Sequence, residues 1–140
     1  MPSLIQIDIV SAEANLYSGQ ANKVFLTGEL GELEITPGHS QLLTALKPGY
    51  VRISLPNQVE EVFYISGGFL EVQPDIITIL ADAAERAQDL DEMAALAAKR
   101  EAEERLHDNQ SEQLYAEVLA ELAQASAQLQ AIQQLKQWLK

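Results

Sequence analysis

EVQPDIITILADAAERAQDLDEMAALAAKR, residues 71–100, contains the change of pattern that decides the fold. All seven glycines and all five prolines of the chain lie at or before Pro74, and none follows. A loss of turn-forming residues at one point marks a change of architecture. Before it the chain reads as short strands; after it, as helix.

Working back from Pro74, Phe69-Leu70-Glu71-Val72 follows Gly67-Gly68, and Val62-Phe63-Tyr64-Ile65 precedes it. Tyr50 to Leu55 and Leu4 to Val10 alternate apolar and polar residues with period two. Val24-Phe25-Leu26 and Leu33-Glu34-Ile35 flank Gly28-Glu29-Leu30-Gly31, and Ile76 to Leu80 is the last strand. Turns are predicted at Ser18-Gly19-Gln20, Pro37-Gly38, Lys47-Pro48-Gly49, Pro56-Asn57 and Pro74-Asp75. Short strands separated this way predict an antiparallel β-sandwich or barrel, of which the sandwich is the form expected here.

Working forward, Asp89 and Glu92 have capping-box spacing. The row Leu90, Ala94, Ala98, Ala102 and Leu106 is predicted as the inner face of a first helix. His107-Asp108-Asn109-Gln110-Ser111 interrupts it, and Asn109 with Glu112 offers a second cap. Tyr115, Val118, Leu122, Ala125, Leu129, Ile132, Lys136 and Leu139 then repeat at coiled-coil spacing. The fold class is therefore α+β in two parts: an antiparallel sandwich over residues 1–86, then an antiparallel two-helix hairpin over residues 87–140. The alanines give a close seam with a shallow core, since each Ala in place of Leu forgoes roughly 2 kcal/mol of burial. An ordinary helix pair and a pair able to come apart both fit that chemistry.

The net charge of −12 argues against nucleic acid or an anionic lipid surface as the main partner; a basic protein surface fits better. There is no cysteine, so disulfides and thiolate metal sites are excluded. Residues Met1 to Ile5 lack the basic and apolar regions of a signal peptide, and no window is long enough for a membrane-spanning helix.

Candidate chemistry is sparse. His39 and His107 have no second histidine at metal-ligand spacing. Ser40 adjoins His39, but neighbours on a strand point apart, and there is no Gly-x-Ser-x-Gly elbow. Gly28 to Gly31 lacks the Gly-Lys-Ser/Thr ending of a phosphate loop, and Glu29, Glu32 and Glu34 would repel phosphate. A hydrolase built on His39 and these glutamates, and an adaptor dimerising through the Tyr115–Leu139 seam, are the alternatives that the residues leave open.

The chain resembles the epsilon subunits of bacterial F-type ATP synthases. The resemblance rests on Val10-Ser11-Ala12-Glu13, Tyr17-Ser18-Gly19, Gly31-Glu32-Leu33, Pro37-Gly38-His39, Leu42 to Gly49, Ser66 to Val72 and Leu80-Ala81-Asp82. It implies a non-catalytic rotor subunit without a cofactor or metal, held peripherally on the cytoplasmic face of the bacterial inner membrane. Glu29, Gly31 and Glu32 fall where such subunits meet the ring of c subunits, and His39 and Leu42 where they meet gamma. In these relatives the hairpin either folds beside the sandwich or extends toward alpha and beta to block ATP hydrolysis. Leu129, Ile132, Lys136, Trp138 and Lys140 lie on its inhibitory end. Leu90, Asp91 and Ala94 match the ATP motif of nucleotide-binding relatives, with Ala94 replacing its arginine. Glu34 stands where a glycine is common, and the two tail lysines make electrostatic docking weaker than in more basic relatives.

Overall fold

A computed structural model describes residues 4–108 and 112–139. The predicted cap at Asn109 and Glu112, the side chains of Trp138 and Leu139, and Lys140 lie outside what it describes.

Nine strands precede two helices: β1 Ile5–Val10, β2 Asn15–Ala21, β3 Lys23–Gly28, β4 Gly31–Ile35, β5 Leu42–Ser54, β6 Glu60–Ile65, β7 Gly68–Val72, β8 Ile76–Ala81 and β9 Ala84–Arg86. A short 3-10 helix, Ala87–Asp89, leads into α1 Glu92–His107, and α2 Glu112–Leu139 completes the hairpin. β2, β1, β8, β7 and the first half of β5 form one layer; β4, β3, the second half of β5, β6 and β9 form the other. Ile5, Ile7, Ile9, Val24, Leu26, Ile53, Phe63, Ile77 and Ile79 fill the space between them. The alternating pattern of β1, inward at every second residue, produces this directly.

Three expectations about the sandwich need correction. Lys47-Pro48-Gly49 is not a turn between strands: it lies inside the 13-residue β5, which pairs with β7 over Leu42 to Leu46 and with β6 over Gly49 to Ser54. The proline and glycine bend a single strand from one layer into the other. Gly49 is required there, because a Cβ would stand 2.7 Å from the Cβ of Thr27 on β3. Ser18-Gly19-Gln20 likewise belongs to β2, and the chain changes layer at Asn22 instead. The sandwich is not wholly antiparallel, since β1 pairs with β8 in parallel. Gly68, with φ +142°, lies so close to β8 that any Cβ would collide with the Leu80 carbonyl.

The hairpin is docked. One side of α2 covers the outer face of the second layer, where Tyr50, Val62 and Tyr64 pack with Ala87, Ala127 and Ala131, and Leu90 and Leu135 close the edges. The opposite side of α2, with Val118, Ala125 and Ile132 buried, faces α1. Asp91, not Asp89, caps α1: its Oδ1 accepts from the Ala94 N–H at 3.1 Å, while Asp89 closes the 3-10 helix. The helix therefore starts two residues later than expected, and its inner face follows 3-4 spacing through Ala95, Ala102 and Leu106 instead of the i,i+4 row. Ala95 and Ala102 are buried, whereas Ala94 and Ala98 face solvent.

Candidate functional site

The Gly28–Gly31 segment is a two-residue hairpin turn. Gly28 pairs with Gly31, and Glu29 and Leu30 form the tip. Leu30 is fully exposed. Of the predicted tip residues, Glu29 and Gly31 are also exposed, and the structure brings Glu29, Gly31 and Glu32 together along one edge of a small cleft with Leu33, Leu42 and Thr44. The glutamates do not converge on a reaction centre. Glu32 accepts a hydrogen bond from the Tyr50 hydroxyl at 3.0 Å. Glu34 lies 3.6 Å from the Lys23 ammonium. A carboxyl used as a general acid needs a desolvated cleft, which these exposed groups lack.

His39 follows the Pro37-Gly38 turn, and its Nδ1 lies 2.7 Å from the Ser40 carbonyl, not from a nucleophilic hydroxyl. Among the described residues no group of His, Asp and Glu is arranged to hold a metal. Leu42 is partly turned into the sandwich core, and its neighbour Leu43 carries the exposure at this end of β5.

Sequence reasoning missed the open face of the first layer. Val10 pairs with Leu80, Leu80 with Phe69, and Phe69 with Ala45, so an apolar row crosses β1, β8, β7 and β5 on the side away from the core. Phe69 is 55 % exposed, Leu80 53 % and nearby Leu43 71 %. The signal was present in the alternation of β7 and β8, whose outward positions hold Phe69, Ile76 and Leu80 beside the polar Glu71 and Thr78, where a fully solvated strand would carry polar residues throughout. Adjacent exposed apolar residues of this size mark an interaction surface.

On the hairpin, Ile132 is buried and Leu129 half-buried, while Lys136 is exposed and its ammonium lies 2.7 Å from Glu92. Arg105 meets Glu121 at 2.8 Å, so one exposed ion pair bridges the two helices at each end of α1. Tyr115, at the near end of the seam, is 42 % exposed. Leu90, Asp91 and Ala94 serve structure here: Leu90 packs under α2, Asp91 caps α1, and Ala94 is exposed and supplies the capped N–H.

Tyr50 and Tyr64 lie side by side on β5 and β6 beneath α2. Burial raises the pKa of both above the usual tyrosine value of 10.0. Glu32 raises Tyr50 further, while a hydrogen bond from Gln128 of α2 partly offsets the effect at Tyr64. Both phenols are therefore neutral at ordinary pH, Tyr50 donating to Glu32 and Tyr64 accepting from Gln128.

Residues 4–87 match the family described as ATP synthase, Delta/Epsilon chain, beta-sandwich domain, and residues 88–133 match its long alpha-helix domain. An ATP synthase epsilon chain from Nitrosococcus oceani is 52 % identical over 99 % of each chain. One from Legionella pneumophila is also 52 % identical, over 96 % of each. Among solved structures, a chain of the Euglena gracilis mitochondrial ATP synthase superposes with a TM-score of 0.75 at 18 % identity, covering 100 % of this chain and 84 % of its own. A chain from the Tetrahymena thermophila central stalk and c-ring gives 0.51 at 16 % identity, covering 61 % and 68 %. At these identities the structural matches speak for the fold.

Proposed function

The chain belongs to the ATP synthase delta/epsilon chain family, and on that premise we propose that it is a non-catalytic central-stalk rotor subunit. In this reading it couples rotation of the c-ring to the catalytic head and restrains ATP hydrolysis through its hairpin. Residues 1–86 form the binding unit and residues 87–140 the regulatory one.

The observation that carries this reading is the division of labour between the two outer faces of the sandwich. One is covered by α2. The other presents the row Val10, Leu80, Phe69 and Ala45 to solvent. A fold that covers one apolar face with its own helix and leaves the other bare suits a stable partner on the bare side. We assign that partner to gamma, with His39 at its margin and Leu43, rather than the half-buried Leu42, making the contact on β5. The acidic tip with Glu29, Gly31 and Glu32 is assigned to basic loops of the c-ring, because its exposed carboxylates complement cations. The extended hairpin would reach alpha and beta with Leu129, Ile132, Lys136, Trp138 and Lys140. No described helix is long and apolar enough to cross a membrane. Attachment to the cytoplasmic face of the inner membrane would come through the complex.

Phe69→Glu tests the first assignment. In reconstituted complexes it is expected to weaken retention of the chain at least tenfold while the isolated variant keeps its melting temperature; unchanged retention would sink the gamma assignment. Glu32→Lys tests the second. ATP-driven proton pumping should fall with assembly intact, and unchanged pumping would count against the ring contact.

A further inference from the structure

Tyr64, Tyr50, Thr27 and Glu32 form a lateral row across β6, β5, β3 and β4, on the face that α2 covers. Tyr64 pairs with Tyr50, Thr27 pairs with Glu32, and Thr27 lies against Gly49, the neighbour of Tyr50. The middle of the row lies under the helix. Tyr50 is only 7 % exposed and packs in one cluster with Ala127 and Ala131. Its hydroxyl donates to Glu32 Oε1 at 3.0 Å in a part-buried hydrogen bond. Glu32 also borders the cleft between sheet and helix, facing Lys47 and Pro48 on one side and Ser126 and Gln130 of α2 on the other. The same carboxylate belongs to the exposed acidic tip.

We propose that this hydrogen bond links the docking of α2 to the availability of Glu32, so that a partner cation that takes Glu32 away from Tyr50 loosens the hairpin. With α2 in place, water is kept from the phenol, and a hydrogen bond to a carboxylate is strongest where water is excluded. With α2 gone, Tyr50 stands in water, which competes for both partners, and the bond loses most of its net value. The bond therefore contributes more to the docked state than to the undocked one. Linkage makes the effect reciprocal: whatever weakens the bond favours release, and release frees the carboxylate. The coupling lies wholly inside this chain. Only the identity of the cation, a basic residue of the c-ring, rests on the function proposed above.

Amide hydrogen exchange on the isolated full-length chain tests it, using Tyr50→Phe, Glu32→Ala and the double variant. Phe keeps the buried ring, and Ala removes the acceptor by truncating an exposed side chain, so all three chains should fold. Each single change is expected to raise exchange across residues 127–135 of α2 by about three- to tenfold, the range of one net hydrogen bond. The double variant should exchange no faster than either single, while amides of β1 and β8 stay protected. No rise in either single variant, a rise in only one, or a double variant showing the product of the two effects would overturn the proposal. Because no partner is present, this outcome is independent of the Glu32→Lys pumping result.

Discussion

The Lys136 ammonium lies 2.9 and 2.7 Å from the two carboxylate oxygens of Glu92, so the last turn of α2 is tied to the first turn of α1. The cation expected at the inhibitory end is thus occupied inside the docked hairpin. In the proposed reading, opening of the hairpin would hand it to another subunit. The pair is 58 % and 42 % exposed, however, which limits its energy to at most about 1 kcal/mol. Lys136→Ala should change hairpin opening by less than that, and the difference from wild type should vanish at high salt. Hydrogen exchange across α2 at low and high ionic strength measures both.

What holds the hairpin is the alanine face. Ala131 is fully buried between α2 and the sheet. Ala131→Leu adds three carbons where there is no room and should weaken docking by about 1–3 kcal/mol. Limited proteolysis of α2 should accelerate while β1 and β8 stay protected. In the assembled complex, a hairpin freed in this way should inhibit ATP hydrolysis more strongly.

Gly68→Ala places a methyl group against the Leu80 carbonyl at a left-handed backbone position. The sandwich should lose at least about 2 kcal/mol, read from urea unfolding.

The buried tyrosines set an alkaline limit. Burial raises Tyr50 and Tyr64 above 10.0 in the folded chain, so the unfolded chain releases these protons first as pH rises. Stability from both groups is complete below pH 10 and is lost as pH climbs through the folded-state values. Protection of α2 should therefore fall above pH 10. Tyr64→Phe should shift that fall upward; an unaltered profile would show that Tyr64 does not govern it.

Much of this was legible in the chain. Period-two alternation located most strands, and the loss of Gly and Pro after Pro74 located the helices. Sequence could not distinguish a turn from a bend at Lys47-Pro48-Gly49, because the same residues end a strand or carry it around a corner. It could not place the start of α1, because Asp89 and Asp91 are both good caps, and it could not choose the inner face, because the neighbouring alanines fit an i,i+4 row and a 3-4 row equally well. The second buried side of α2, Ala127 and Ala131, was hidden because alanine gives almost no amphipathic contrast. The tip glutamates were visible as a charged loop, but the Tyr50–Glu32 bond depends on which strands become neighbours.

The central claim is that the docked hairpin is the reserve form of an inhibitory element. It is tested most directly by removing residues 89–140 and measuring ATP hydrolysis by the assembled complex. The account predicts that the shortened chain is retained and hydrolysis rises. A retained chain with hydrolysis no faster than that of the intact complex would contradict it.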